Sequence, residues 1–220
     1  MHYLITGGTG FIGQHFLKTI LTQQDSVTLL SRTPPHPSSP HRFIQTLDEI
    51  EDSTSIDCII NLAGKPIDCY WTPKNKQALI DSRVHITQAL ITLIKRLQHK
   101  PSVMLSASAV GYYGDQQTTR LSEDSPPKDS FTSQLCKQWE DTACQAQTYG
   151  VRVCLMRLGV VLGRDAGFIQ KTKRPFQLGL GGMLGSGQQP FPWIHVEDVT
   201  QIMAFLIHNT HTNAAYNFVA

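Results

Sequence analysis

Residues Leu4–Leu17 read LITGGTGFIGQHFL, with glycines at positions 7, 10 and 13. A short apolar run precedes the glycines and a helix-like run follows them, so the stretch predicts a strand, a tight turn and a helix start. Glycine permits the turn and lets a ligand approach the backbone closely. The first N–H groups of a helix have no intrahelical partner and attract phosphate. The stretch therefore predicts a phosphate-binding loop at the start of the fold.

The remaining sequence alternates between strand-like and helix-like patterns. We expect an exposed proline-rich loop over 34–41 and an irregular segment over 164–192. Strands are expected over 2–6, 26–31, 42–45, 56–64, 102–108, 151–163 and 215–220. Helices are expected over 11–23, 73–98, 131–150 and 196–209, the third ending at Gly150. This order predicts an α/β fold: a doubly wound parallel sheet (Rossmann fold) with helices on both faces.

Arg32 bears on which dinucleotide the loop binds, because it follows the second expected strand. A site that prefers NAD usually carries Asp or Glu there, whereas an arginine accommodates the 2′-phosphate of NADP. The planar, permanently charged guanidinium suits a phosphate. Residues 31–47 contain no acid. We therefore expect NADP(H) as the cofactor; the alternative is that Arg32 is a solvated loop residue.

Five segments together resemble the extended short-chain dehydrogenases/reductases, the NAD-dependent epimerase/dehydratase family. The resemblance covers nearly the whole chain and is strongest to an epimerase-like subgroup that lacks the usual active-site tyrosine. The segments are TGGTGFIG (6–13), NLAG (61–64), SASAVGYYG (106–114), RLGVVLG (157–163) and WIHVEDV (193–199). The resemblance implies a small-molecule substrate, a hydroxy or carbonyl compound or a nucleotide-sugar.

The same resemblance implies a catalytic serine and a Tyr-x-x-x-Lys pair on the helix that follows it. Ser108 is the expected serine, which orients the substrate oxygen, and Ser106 is the alternative, buried in the strand. Lys137 occupies the lysine position and is expected to bind the nicotinamide ribose. Ser133 stands where the family has tyrosine. Hydride chemistry through the usual phenolic acid is therefore not encoded at that position.

A phenol from Tyr113 or Tyr112 is a candidate replacement, the alternative being that these rings pack at the sheet edge. The expected catalytic set is Ser108, Lys137 and Tyr113. The expected cofactor contacts are Gly7, Thr9, Gly10, Phe11, Ile12, Gly13, Arg32, Leu62, Ala63, Gly64, Lys137, Gly159 and Val160.

The expected domain organisation follows the same boundaries. Residues 1–163 form the NADP-binding Rossmann domain, and residues 164–192 form an excursion toward a small, incomplete substrate lobe. Residues 193–220 return the last helix and strand to the sheet. The family continues beyond this last strand into more of the substrate lobe, and this sequence stops there.

Two functions of different classes fit these features. One is an NADP(H)-dependent oxidoreductase or epimerase of atypical mechanism. The other is an NADP(H)-binding sensor with little turnover, which the serine at position 133 favours. Arg83 is a further candidate for binding a substrate or cofactor phosphate, with a solvated helix charge as the alternative. His195 is a candidate proton carrier or a group that ties its loop to a neighbour.

Composition excludes several other classes. The net charge of +2 over 220 residues gives no basis for nucleic-acid binding. Five cysteines without a Cys-x-x-Cys pair indicate neither a disulfide framework nor a zinc site, and they fit a cytoplasmic protein. We expect no metal at the pair His208 and His211 and no membrane segment. A homodimer through helices 73–98 and 131–149 is implied by the resemblance alone.

Overall fold

A computed structural model of the chain describes residues 1–32, 40–164, 167–183 and 185–220. Its strands are β1 His2–Thr6, β2 Ser26–Leu30, β3 Arg42–Ile44, β4 Cys58–Asn61, β5 Val103–Ala109, β6 Arg152–Leu158, β7 Val160–Leu162, β8 Trp193–His195 and β9 Ala215–Phe218. Its α-helices are α1 Phe11–Thr19, α2 Pro73–Ile80, α3 Ile86–Arg96, α4 Phe131–Cys144, α5 Gly167–Gln177 and α6 Val196–His208. Most of the expected proline-rich loop lies outside the described residues.

The main sheet has seven parallel strands in the order β3-β2-β1-β4-β5-β6-β9. From β1 the chain builds outward through β2 to β3, and it then crosses back to place β4 on the other side of β1. The carboxyl ends of β1 and β4 meet in register, at Thr6 and Asn61. Ligands of such sheets bind where the strand order reverses, in the crevice beyond these strand ends. The expected doubly wound α/β fold is confirmed.

Helices cover both faces of the sheet because successive strand residues point to opposite sides. In β1, Tyr3 and Ile5 belong to one core, which includes Phe16 of α1 and Met203 of α6. Leu4 belongs to the second core, on the face covered by α3. Strands buried on both faces in this way read as continuous apolar runs, which is why the sequence reveals them clearly.

The expected strand over 151–163 is two strands in different sheets. The break falls at Gly159, whose N–H donates to the Phe218 carbonyl at 3.0 Å, while the next N–H, of Val160, donates to Pro192 at 2.8 Å. After the glycine, β7 leaves the main sheet and pairs with β8. A Cβ on Gly159 would lie 2.8 Å from the Pro192 carbonyl oxygen, so glycine is required where the chain changes partner.

The segment 164–192 is not wholly irregular as expected, because it contains α5. The density of glycine and proline concealed a helix whose own glycines lie at its start and beyond its end. None of the described residues of α5 is buried. The expected helix over 73–98 also differs: a π-helical turn, Asp81–His85, separates α2 from α3.

A buried polar cluster joins the two central strands to the helices beside the crevice. The Thr6 hydroxyl donates to Asn61 Oδ1 at 2.7 Å, and Asn61 Nδ2 donates to Thr87 Oγ1 at 2.8 Å. Trp139 Nε1 of α4 donates to the same Thr87 oxygen at 3.0 Å. Thr87 in turn donates to the Arg83 carbonyl at 2.7 Å. One hydroxyl therefore satisfies buried donors from a strand and a helix and anchors the π turn.

Replacing Thr87 by valine keeps the shape of the side chain but removes this hydroxyl. The indole N–H of Trp139 loses its acceptor, and an unsatisfied buried group costs about 1–3 kcal/mol. We expect a lower melting temperature and a smaller free energy of unfolding in urea. Thr92→Val is the matched control, because the exposed Thr92 hydroxyl bonds only its own helix. Equal stability of the two variants would contradict the role given to the cluster.

Candidate functional site: a crevice at the carboxyl ends of the strands

The glycine loop lies directly against the segment that follows β4. Gly7 has φ +69°, and a Cβ there would lie 2.6 Å from the carbonyl carbon of Leu62 and 2.9 Å from the Ala63 nitrogen. A Cβ on Gly13 would lie 2.6 Å from Gly8 Cα, so the helix starts tight against the turn. Gly7 and Gly13 are therefore required by close backbone approaches, as the motif predicts.

The start of α1 leaves backbone donors free toward the crevice. Gly10 is the residue before the helix, and no side chain caps it. The first intrahelical bond runs from the Gln14 N–H to the Gly10 carbonyl, at 2.9 Å. The amides of Phe11, Ile12 and Gly13 precede this bond and have no intrahelical acceptor. The first turn carries no acidic side chain, so the partial positive charge of the helix end is not neutralised there.

Arg32 lies at the same edge of the sheet as the glycine loop. Strands β1 and β2 end in register at Thr6 and Leu30, and Arg32 follows two residues later. Its side chain is exposed and forms no hydrogen bond or ion pair with any residue in the described part of the chain. The guanidinium is therefore available beside the loop, and its binding to a phosphate stays a prediction.

A cavity of about 330 Å³ lies farther along this edge, between β4, β5, β6 and helix α4. It brings together five of the expected site residues, Leu62, Ala63, Gly64, Ser108 and Gly159. After Gly159 the residue on its wall is Val161, not the expected Val160, because side chains alternate along β7.

Ser108 is held in this cavity by a buried charged pair behind it. Its hydroxyl donates to Glu140 Oε1 at 2.5 Å. Arg157 binds the same carboxylate twice, through Nε to Oε1 at 3.0 Å and through Nη2 to Oε2 at 2.9 Å. Burial alone would lower the pKa of Arg157, but hydrogen bonds to Glu140 and Tyr113 outweigh it and raise that pKa above its ordinary value. Glu140, bound twice by Arg157, thus orients the serine proton.

Register explains why these groups meet. Ser108 of β5 is paired with Arg157 of β6, which is paired with Asn217 of β9, so the three side chains lie in one row across the sheet. Tyr113 closes the row: its hydroxyl accepts from Arg157 Nη1 at 2.9 Å and donates to Asn217 Oδ1 at 2.7 Å. The ring of Tyr112 stacks on the guanidinium, with Arg157 Cζ 3.6 Å from its centroid.

Tyr113 accordingly has a different position from the one expected of a catalytic phenol. It is 3% exposed, its hydroxyl is engaged by Arg157 and Asn217, and it is not part of the cavity wall. The alternative raised from the sequence, that the rings pack at the sheet edge, describes the observed arrangement. Ser106 is fully buried and accepts from Asn61 at 3.2 Å, as its alternative also anticipates.

Helix α4 faces the cavity in a register one residue away from the expected one. The expected ribose-binding Lys137 is exposed, pairs with Asp141 at 2.6 Å and is absent from the cavity wall. Ser133 is buried against Ser130 and the Gly111 carbonyl. The cavity-facing side chains are Thr132, Leu135, Cys136 and Trp139. This i, i+3, i+4, i+7 stripe is the apolar phase of the helix, which places Lys137 on its outer side.

The sequence reasoning therefore missed Cys136, Thr132 and the Glu140–Arg157 pair. Helical phase would have found the first two, because Leu135 and Trp139 define the buried stripe. The pair also had a signal: Arg157 stands in an otherwise apolar strand, and a buried arginine requires an acidic partner. The spacing of the family motif selects positions 133 and 137 instead, which lie outside the cavity wall.

The structure also gives the positions of Arg83, His195 and two tryptophans relative to the cavity. Arg83 lines the cavity. His195 is exposed, and its Nδ1 accepts the Glu197 N–H at 3.3 Å at the start of α6; a role as proton carrier stays a prediction. Trp71 and Trp193 are exposed and are not part of the cavity wall.

Metal and membrane features were also sought across the described residues. In that part of the chain no group of three or more His, Cys, Asp and Glu side chains is arranged to hold a metal ion. His208 and His211 line a shallow depression at the end of α6, remote from the crevice. None of the described helices combines the length and apolar character needed to span a bilayer.

The fold, the glycine loop and the crevice are those of the extended short-chain dehydrogenases/reductases, as the resemblance implied. The model of the NAD dependent epimerase/dehydratase family matches residues 3–218, and the chain belongs to this family.

Relatives and solved structures agree with this assignment. "Epimerase family protein SSP1921" of Staphylococcus saprophyticus is 38% identical over 224 residues, covering 100% of this chain and 75% of the relative. The crystal structure of human epimerase family protein SDR39U1 (isoform2) with NADPH has a TM-score of 0.87 and 35% identity, covering 100% of this chain and 74% of that one. UDP-glucuronic acid 4-epimerase of Bacillus cereus, solved with a UDP-sugar analogue and NAD, has a TM-score of 0.84 at 19% identity, over 100% of this chain and 78% of that one, and shows the fold alone.

Cys136 provides a chemical probe of the site. Burial, followed by the charge of Glu140, raises the pKa of its thiol to about 11, although Ser108 and Arg83 act in the opposite direction. Because only the thiolate is alkylated, we expect iodoacetamide to modify Cys136 slowly at neutral pH and faster as the pH approaches 11. Glu140→Gln removes a negative neighbour and is expected to move this rise to lower pH.

Peptide mass spectrometry after timed alkylation measures this profile, with Cys69 in the same digest as the reference for reagent activity. Rapid modification of Cys136 at pH 7, or a profile unaffected by Glu140→Gln in a folded variant, would contradict the described environment.

Proposed function

We propose that this protein binds NADP(H) along the crevice and is an oxidoreductase or epimerase acting on a small hydroxy or carbonyl compound or a nucleotide-sugar. Ser108 carries the proposal: it stands at the carboxyl end of β5, on the cavity wall, with its proton directed to Glu140. The same cavity includes the Leu62–Gly64 segment and Gly159, which the family resemblance assigns to the cofactor path.

The crevice has the features that a dinucleotide needs. Gly7 and Gly13 allow the close backbone approaches that set the loop against Leu62 and start α1 directly at the turn. The unpaired amides of Phe11, Ile12 and Gly13 would hold the pyrophosphate, and Gly10 and Thr9, both exposed, leave the approach open. Leu62–Gly64 and Gly159 would bound the nicotinamide end. When bound, the cofactor would accept or supply the hydride that the substrate carbon exchanges, and the accompanying proton of the substrate oxygen would be exchanged with solvent.

Arg32 is the basis for proposing NADP(H) instead of NAD(H). It is an exposed guanidinium at the end of β2 with no competing acid between residues 31 and 47. The human relative was crystallised with NADPH, which supports the same cofactor here. A 2′-phosphate would gain charge-assisted, paired hydrogen bonds from the guanidinium, whereas the 2′-hydroxyl of NAD would not.

Ser108 serves as the hydrogen-bond acceptor for the substrate. Its only proton is directed to Glu140, so the serine oxygen presents its lone pairs to the cavity. A substrate hydroxyl can donate to that oxygen, which places its carbon in a fixed orientation. Arg157, bound to both oxygens of Glu140, holds that side chain in place behind the serine. The network therefore orients the substrate; we assign Tyr113 to this network and propose no role in the cavity for Lys137.

A sensor with little turnover is the second candidate function. Its specific support is the wall of α4, where Thr132 and Cys136 face the cavity and no tyrosine is present. The thiol of Cys136, with its pKa raised to about 11, is a poor acid at neutral pH. Tight NADPH binding without consumption by any carbonyl compound would favour the sensor over the enzyme.

Arg32→Ala tests the choice of cofactor. Loss of paired, charged hydrogen bonds to a phosphate is expected to weaken NADPH binding by about 10- to 100-fold. Binding of NADH, which has no 2′-phosphate, is expected to change by less than about threefold. Fluorescence titration of each nucleotide gives the dissociation constants. Lys18→Ala is the control for net charge, because Lys18 lies in the last turn of α1. Equal losses for NADPH and NADH would refute the 2′-phosphate assignment.

Ser108→Ala tests the proposed chemistry. Hydroxy compounds and nucleotide-sugars are screened with NADP⁺, and aldehydes and ketones with NADPH, by the absorbance of NADPH; the best substrate is then assayed with the variant. Without the orienting oxygen we expect kcat/KM to fall by about 10- to 100-fold, with the dissociation constant of NADPH unchanged. Ser102→Ala is the matched control, because Ser102 is exposed and directly precedes the opposite end of β5. Unchanged turnover in Ser108→Ala would remove this serine from the reaction.

A further inference from the structure

The cavity beside Ser108 has an unbalanced charge. Its described wall includes two cationic side chains, Lys65 and Arg83, and no carboxylate. The acids nearest in sequence are engaged elsewhere: Asp68 pairs with Lys171, and Asp81 lies within ion-pair distance of His85. Glu140, behind the cavity, is matched by Arg157. Two positive charges therefore face a partly buried space without a negative partner in the described residues.

Arg83 has donors to spare. Nη1 donates to the Leu79 carbonyl at 3.3 Å and to the Ser82 hydroxyl at 3.2 Å, and Nη2 donates to the Lys65 carbonyl at 2.9 Å. These three bonds use three of the five N–H groups of a guanidinium. Neither Nε–H nor the second Nη2 hydrogen has a partner among the described residues, and no described carboxylate pairs with Arg83. Burial lowers the pKa of Arg83, as expected of a charge without a counterion.

The residues around Arg83 hold its guanidinium at the cavity wall. Arg83 lies in the π turn between α2 and α3, and single π turns of this kind are frequent at functional sites. Its guanidinium lies against Gly64, where a Cβ would be 3.2 Å from Cζ. The ring of Trp139 covers its other side, with Cζ 5.4 Å from the ring centroid. The head group is thus fixed at the cavity wall and not free in solvent.

We propose that Arg83, assisted by Lys65, binds an anionic group of the substrate, a carboxylate or a phosphate, at a subsite beside Ser108. The inference rests on the proposed function and narrows its substrate class to anionic hydroxy or carbonyl compounds. An anion there offsets the unmatched charge and accepts the two remaining guanidinium donors. Lys65 contributes a flexible second charge, because its Nζ is bonded only to Asn75 Oδ1, at 3.3 Å, among the described residues.

The cofactor is the other source of phosphate, and the cavity itself argues for the substrate. None of the glycine-loop residues Gly7 to Gly13 belongs to its described wall, whereas Ser108 and Thr132 do. Arg83 therefore shares a compartment with the group that orients the substrate and not with the amides proposed for the pyrophosphate. The same wall includes Leu62–Gly64 and Gly159, proposed for the nicotinamide end, so titrations with and without NADP⁺ are needed to separate the two ligands.

Trp139 makes binding at Arg83 measurable. The chain has three tryptophans, so Trp71→Phe with Trp193→Phe leaves Trp139 as the single fluorophore. This protein is titrated with inorganic phosphate and with malonate, at constant ionic strength, without NADP⁺ and with saturating NADP⁺. We expect a saturable change in Trp139 emission in both conditions, because the substrate subsite stays open when the cofactor is bound.

Arg83→Gln in the same background is expected to weaken the binding of both anions by about 10- to 100-fold, with NADP⁺ affinity little changed. Arg83→Lys keeps the charge but loses the planar guanidinium, so its anion affinity is expected to lie between that of the parent protein and that of Arg83→Gln. Lys74→Gln is the control for charge, because Lys74 is exposed on the neighbouring α2. Equal losses of anion affinity in Arg83→Gln and Lys74→Gln would overturn the proposal. It would also be overturned if NADP⁺ abolished anion binding and Arg83→Gln weakened NADP⁺ binding to the same extent, because Arg83 would then bind the cofactor.

A measurement on the unaltered protein covers the case in which Arg83→Gln does not fold. Phenylglyoxal labels accessible arginines, and peptide mass spectrometry follows Arg83 with and without malonate. Selective protection of Arg83, relative to the exposed Arg120, supports the subsite, and no protection contradicts it. If anions bind at Arg83 but NADP(H) does not bind at all, the proposed function fails and the anion site stands. If NADP(H) binds and anions do not, only the present inference fails.

Discussion

The contact between Gly7 and the backbone after β4 is the constraint on which the crevice depends. With φ +69° and no Cβ, Gly7 lets the chain turn within van der Waals distance of Leu62 and Ala63. The same turn aims the first amides of α1 at the gap between β1 and β4. Beneath it, Thr6, Asn61 and Thr87 hold the two strands and the π turn together through buried hydrogen bonds. The glycine loop and the cavity are thus supported by the same buried hydrogen bonds.

A second constraint fixes the chemistry at the far end of the crevice. Register places Ser108, Arg157 and Asn217 in one row across the sheet, and Glu140 of α4 binds Arg157 of this row. Burying such a pair gains little stability in itself, while losing one partner leaves an uncompensated charge. What the pair provides is direction: one proton position for the serine, and one acceptor facing the cavity. Any function resides in the site and not in the fold, because one fold can host many different activities.

The fold was predictable from the sequence because its strands are apolar runs between clear turn signals. Local sequence patterns predict the glycine loop, the alternation of strands and helices, and the end of the third expected helix at Gly150, which has φ +79°. The spacing of the family motif did not predict which side chains of α4 face the cavity, because the helical phase of the apolar residues decides this. Cys136, not Lys137, faces the cavity. The Glu140–Arg157 pair required the register of two strands, which single-sequence patterns do not supply. Helix α5 was concealed by the glycines and prolines around it.

We infer that the amides at the start of α1 hold a pyrophosphate and that the nicotinamide end reaches Ser108. A crystal structure of the protein grown with NADPH tests it most directly. We expect phosphate oxygens within hydrogen-bond distance of the Ile12 and Gly13 amides, with the nicotinamide beside Gly159 and Ser108. A nucleotide bound elsewhere on the surface, or a crevice closed by side chains at saturating NADPH, would contradict it.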